Sequence, residues 1–205
     1  MARQPVHSRE EALEKALNLF WRKGYHATSL KDLEHALDMR PGSIYAAFRS
    51  KEALFREVLK LYATEVGVQF RAVVSSSPTT LDGVVCFLTE IGRRPENEPP
   101  SRACMLVKTL LEATDAQTAV AEDANAYLAR IEAMFEDAFE TSRRNGEIAA
   151  DVDPKRLARR LQSAIFGLRV YAQRENSTDA VEELAEDMAG DFLSLRQRAL
   201  VDPAA

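Results

Sequence analysis

Apolar residues recur along almost the whole chain with the three-and-four spacing of an α-helix. Leu13, Ala16, Leu17 and Phe20 form one stripe and predict a first helix over about 9–22. Ser8 is placed to cap it, and Gly24 to end it. Thr28 is expected to cap a second helix, about 29–37, buried through Leu30, Leu33 and Leu37. Asp38, Met39 and Arg40 make a turn. Pro41 fits only the first turn of the next helix, about 41–48, with Ile44 and Phe48 inward. Ser50 caps a fourth helix running from Lys51 to about Val74. Further helices are expected over about 80–93, 102–113, 116–144, 154–174 and 178–199. No stretch alternates with the period of a strand, so the fold class is all-α with about nine helices.

Residues 28–51 draw the eye because two short helices, a tight turn and a third helix start follow one another without slack. That is the layout of a helix–turn–helix, whose second helix enters the major groove. Ile44 and Phe48 inward leave Arg40, Gly42, Ser43, Tyr45, Ala46 and Arg49 outward. A small residue at Gly42 allows close approach to DNA. The helix starts at Thr28, Pro41 and Lys51 can offer N–H groups to phosphate. Two such helices also occur in proteins that never meet DNA.

Charge adds to the picture. The net charge of −5 speaks against nucleic acid, but residues 1–60 hold 11 Lys and Arg against 8 Asp and Glu, while the remainder holds 16 against 24. A basic head on an acidic body is the asymmetry expected when only the head meets phosphate. Two cysteines, Cys86 and Cys104, make no disulfide framework, and no secretory signal or membrane-length apolar run is seen. A reduced, cytoplasmic protein is expected. No metal spacing, phosphate loop or nucleophile constellation is found, so neither an enzyme nor a cofactor is expected. A helical protein-interaction module is the alternative.

The run from about Ala12 to Leu54 resembles the N-terminal DNA-binding domain of the TetR family of bacterial transcriptional regulators. Phe20, Gly24, Tyr25, Thr28, Ser29, Leu33, Ala36, Gly42, Ser43, Tyr45, Phe48, Lys51, Glu52 and Leu54 carry the likeness. It implies a DNA-binding domain at 1–54 and a ligand-binding and dimerisation domain at 55–205. It implies phosphate contacts from Thr28 and Lys51, a backbone contact from Tyr45, and base reading by the exposed face of 40–46. The family often has Ser or Thr where Arg40 stands and larger residues where Ala46 and Ala47 stand. Weight therefore moves to Arg40, Gly42, Ser43 and Tyr45, while Arg49, like Arg40, can reach phosphate or a guanine edge.

The resemblance further implies a homodimer on double-stranded DNA, paired through the last two helices, whose broad apolar stripes suit either a partner surface or the closing of the monomer's own core. It also implies a small-molecule effector held by helices five to eight. Candidate lining residues are Phe87, Cys104, Met105, Lys108, Tyr127, Phe135, Phe166 and Arg169, although most of these positions suit plain core as well. Trp21 is expected to pack against a later helix. The segment SRACMLVKTLLE resembles one that carries a sensing cysteine in a branch of the family, with Ala103 and Lys108 replacing the branch's Gly and Asn. Arg102 and Lys108 near Cys104 are expected to favour its thiolate. A structural cysteine is the competing reading.

Overall fold

The computed structural model describes residues 8–93, 101–114, 118–174 and 177–197. Among them the chain forms nine helices: α1 Arg9–Lys23, α2 Leu30–Leu37, α3 Pro41–Phe48, α4 Lys51–Ser76, α5 Thr80–Gly92, α6 Met105–Glu112, α7 Thr118–Arg144, α8 Pro154–Tyr171 and α9 Thr178–Leu193. Extended pairing among these residues is limited to an isolated bridge between Ile148 and Arg196. The all-α class is therefore as expected. The loop expected over 93–101 falls mostly on residues outside those described.

Most helix ends follow from local chemistry. The Ser8 hydroxyl accepts the Glu11 N–H while the Glu11 carboxylate accepts the Ser8 N–H, a reciprocal cap. Gly24, at φ +82°, closes α1. Pro41 opens α3 and the Ser50 hydroxyl accepts the Ala53 N–H at 3.0 Å.

Two ends differ from expectation. α6 starts at Met105 rather than near 102, because the Ala103 carbonyl accepts the Trp21 indole N–H at 2.7 Å and its N–H is donated to the Ser101 hydroxyl. α9 stops at Leu193 rather than near 199. There the chain turns back, and the Gln197 N–H is donated to the Glu147 carbonyl at 2.9 Å.

The helices gather into two compact units, Met1–Glu65 with Asn97–Leu128, and Val66–Glu96 with Ala129–Ala205. The division falls inside α4 and inside α7. The first unit is built on Phe20, whose ring meets Phe55 edge-on at 4.9 Å, with Leu33, Leu37, Ile44, Leu54 and Val58 closing round it. Full burial of each such side chain contributes about 1.5–3 kcal/mol. Ala12 takes the place expected for Leu13, which is only half-buried.

In the second unit Phe70, Phe87 and Phe135 pack as a triad, at 5.1 Å between Phe70 and Phe87 and 4.9 Å between Phe70 and Phe135. α5 lies very close to α9: a Cβ on Gly92 would sit 2.3 Å from that of Ala185. The Glu147 carboxylate caps α5 by accepting the Leu81 N–H at 2.8 Å and the Thr80 N–H at 3.3 Å.

Candidate nucleic-acid interface

α2 and α3 are joined through Asp38, which adopts the left-handed conformation at φ +52°, ψ +44°. Aspartate tolerates that region better than most residues because its short side chain can bond locally. The turn delivers Arg40 to the N-cap of α3, where its side chain makes no capping bond. Ile44 and Phe48 are 2% and 1% exposed and pin α3 to the first unit's core. The opposite face is open. Arg40, Gly42, Ser43, Tyr45, Ala46 and Arg49 are all exposed, as expected from the spacing, and Tyr45 retains 46% of its surface.

Gly42 stands out on that face. It sits inside a regular helical turn, and a Cβ added there would meet nothing within 4 Å. Neither backbone angle nor packing within the chain calls for glycine at this position. Alanine is a better helix former than glycine.

Thr28 requires a correction. It is completely buried, and its hydroxyl donates to the Gly24 carbonyl at 2.6 Å. The cap of α2 is Ser29 instead, whose hydroxyl accepts the Asp32 N–H at 3.2 Å while the Asp32 carboxylate accepts the Ser29 N–H at 2.7 Å. Thr28 thus ties the end of α1 to the start of α2 and has no free surface for a phosphate contact. The spacing Ser29-x-x-Asp32 was the signal that separates the two, since a reciprocal cap needs its acidic member three residues on.

Asp32 also accepts a bond from Lys23 at 2.7 Å, and this ion pair, with the Ser29 bonds, holds its carboxyl well below the usual range. Lys51 lies in the first turn of α4 with its ammonium 4.4 Å from the centroid of the Tyr25 ring. Partial burial lowers its pKa, and the nearby Asp32 opposes that shift. The ammonium is therefore placed by an aromatic face beside the α4 N-terminus.

The expected effector-lining residues are divided between the two units. Phe87, Phe135, Phe166 and Arg169 belong to the second. There Phe87 and Phe135 are packing residues of the aromatic triad, and Phe166 and Arg169 are half-buried on α8. Cys104, Met105, Lys108 and Tyr127 belong to the first. Met105 is 2% exposed and Cys104 is the N-cap residue of α6, with no side-chain capping bond.

Lys108 is engaged within the first unit. Its ammonium reaches the last carbonyls of α1, Trp21 at 3.5 Å and Arg22 at 3.4 Å, and so complements the negative end of that helix. Trp21 packs edge-on to Tyr62 at 5.2 Å besides donating to Ala103. His26 bonds the Glu112 carbonyl at 3.1 Å. These contacts make α6 a brace for the end of α1 and the turn after it.

Among the described residues no group of three or more His, Cys, Asp or Glu is placed to hold a metal. No described helix is long and apolar enough to cross a membrane.

A short helix anchored by two buried side chains, with an open face and a bracing helix before it, has the layout of a helix–turn–helix. Residues 12–58 match the bacterial regulatory proteins of the tetR family, and residues 81–188 match the tetracyclin repressor-like C-terminal domain. The chain belongs to the TetR family of DNA-binding transcriptional regulators. It is 26% identical over 184 residues to the HTH-type transcriptional repressor ComR of Escherichia coli (strain K12), covering 89% of this chain and 88% of that one. A cysteine mutant of the TetR-family regulator CifR, solved with a 26-base-pair operator, is 30% identical. It superposes at a TM-score of 0.79 over 96% of this chain and all of that one. A TetR-family regulator from Cytophaga hutchinsonii shares the fold at a TM-score of 0.84 and 20% identity, over 93% of this chain and 96% of its own.

Proposed function

We propose that the chain is a homodimeric repressor that holds a pseudo-palindromic operator and releases it when a small molecule binds. Residues 1–54 form the DNA-binding domain and 55–205 the ligand-binding and dimerisation domain. The observation that carries this reading is the exposed face of α3, and Gly42 in particular, which the fold itself does not require. Arg40 and Ser43 read base edges, while Tyr45, Arg49 and Lys51 contact phosphate. The repressor name of ComR and the operator in the CifR complex support the same direction of action.

Dimerisation is supported by the outer faces of α8 and α9. Val170 and Leu193 keep 58% and 42% of their surfaces, and Gly167 and Gly190 leave open space where a second copy's helices can approach. Two heads of such a dimer reach half-sites about 34–36 Å apart. The effector acts by favouring a spacing of the heads that no longer fits the operator. Modification of Cys104 is the less supported trigger. The thiol is buried, and the Lys108 ammonium is engaged by α1. The protein acts in the cytoplasm and performs no catalysis.

The test is binding of the purified protein to DNA flanking its own gene across a range of salt. Arg40→Ala should relax sequence preference. Lys51→Ala should weaken binding to all sequences and reduce the salt slope by about 1. No binding of any duplex at low salt would turn the reading to a protein-interaction module.

A further inference from the structure

Beside the C-terminal end of α3, within the first unit, lies an open cleft of about 490 Å³. Two of its walls follow from helix geometry. On α4, Arg56 and Lys60 are four apart and share a face; on α7, Asp123 and Tyr127 do the same. Arg9 of α1 and Arg49, which ends α3, complete the charged lining.

Charge in the cleft does not balance. Glu57 accepts two bonds from Arg9, at 2.6 and 2.7 Å. Asp123 accepts two from Arg56, from Nε at 2.5 Å and from Nη2 at 3.2 Å. Each carboxylate neutralises one guanidinium. Arg49 and Lys60 also line the cleft, both exposed, and no ion pair joins either to a carboxylate among the described residues. Two positive charges are left over.

Arg49 is also held in an unusual backbone conformation, φ +67° and ψ −50°, between α3 and α4. Such geometry is costly for a residue with a Cβ and persists where the surroundings impose it. It is the residue at which the chain leaves α3 and gains the cleft's lip.

We propose that this cleft binds a phosphate group, through Arg49 and Lys60, with the Arg9 and Arg56 pairs holding the walls in place. Two unbalanced cations match a doubly charged oxyanion, and the guanidinium fork suits phosphate oxygens. The half-buried Tyr127 in the lining fits a phosphate carried on an organic group. That group is either a free phosphomonoester or the backbone of bound DNA. The second source rests on the DNA-binding reading; the first does not. A phosphate held here would tie the end of α3 to α4 and α7.

The full-length protein is titrated calorimetrically with inorganic phosphate and with adenosine monophosphate as a phosphomonoester probe, at matched ionic strength in chloride. Arg49→Gln with Lys60→Gln keeps the side-chain stems and removes both charges. Melting curves check that this double variant folds. Saturable binding weakened about tenfold or more by the double variant supports a free phosphomonoester. Separately, operator affinity is followed against salt for Lys60→Gln alone. A slope reduced by about 0.9 assigns the site to a DNA phosphate. If wild type binds neither probe and Lys60→Gln leaves the slope unchanged, the proposal is overturned. If wild type binds no duplex at all, the repressor reading fails, and probe binding alone decides the cleft: no binding overturns the proposal.

Discussion

Gly42→Ala separates what the fold needs from what DNA needs. The substitution adds one methyl group to the second residue of α3. The structure predicts no clash within the chain, because a Cβ there has no neighbour within 4 Å and the residue is already helical. The methyl removes backbone freedom from the unfolded chain and raises helix propensity. Stability should therefore rise by about 0.5–1 kcal/mol. At about 2–4 °C per kcal/mol for a chain of this size, the melting temperature should rise by roughly 1–4 °C.

Operator affinity should move the other way. If the start of α3 lies against the DNA backbone or a base edge, a methyl group on that line pushes the helix outward and lengthens several contacts together. The loss of about one charge-assisted hydrogen bond corresponds to about tenfold weaker binding. Thermal melting at fixed protein concentration gives the first number, and fluorescence anisotropy with a labelled operator at one stated salt concentration gives the second. A stabilised variant whose operator affinity stays within about twofold of wild type would falsify the close-approach reading, since a gain of about 1 kcal/mol at that site then costs nothing. A destabilised variant would instead contradict the open face.

Further outcomes are expected elsewhere. Thr28→Val removes a buried donor and leaves the Gly24 carbonyl unpaired, so stability should fall by about 1–3 kcal/mol while operator affinity at fixed concentration is retained. Tenfold weaker DNA binding without a stability loss would restore the phosphate contact. Gly92→Ala forces α5 and α9 apart at Ala185 and should cost about 1–3 kcal/mol by melting; adding Ala185→Gly should return much of it, and additive losses would refute the close contact.

Glu65 has its pKa raised, first by burial and then by the nearby Glu14. An acid whose folded pKa lies above its ordinary 4.5 loses stability as pH rises through that interval. Glu65→Gln should therefore raise the melting temperature at pH 7, and the gain should vanish below pH 4.5. A gain that persists in acid would exclude the charge as its cause.

The recognition helix was legible in the sequence because its signals are local. Pro41 can only start a helix, Ile44 and Phe48 are one turn apart, and the residues between them must then face outward. Spacing alone sufficed for the exposure of Arg40, Gly42, Ser43 and Tyr45. Thr28 and Ser29 show the limit. Either hydroxyl can cap a helix, and only the fold decided that Thr28 turns inward to Gly24 while Ser29 pairs with Asp32.

Longer-range partners were beyond reach. Lys108 and Trp21 are 87 positions apart, yet the ammonium of one meets the carbonyl of the other because α6 packs beside the end of α1. The same holds for the cleft. Arg9, Arg49, Arg56, Lys60 and Asp123 come from three helices and the turn between α3 and α4, and no periodicity relates those elements. Sequence by itself settles where a helix starts, which face is apolar and what that face can bury, since those depend on neighbours three or four residues away. Which cations are neutralised by which carboxylates depends on distances through space. Packing of α1, α3, α4 and α7 left Arg49 and Lys60 unbalanced beside the recognition helix.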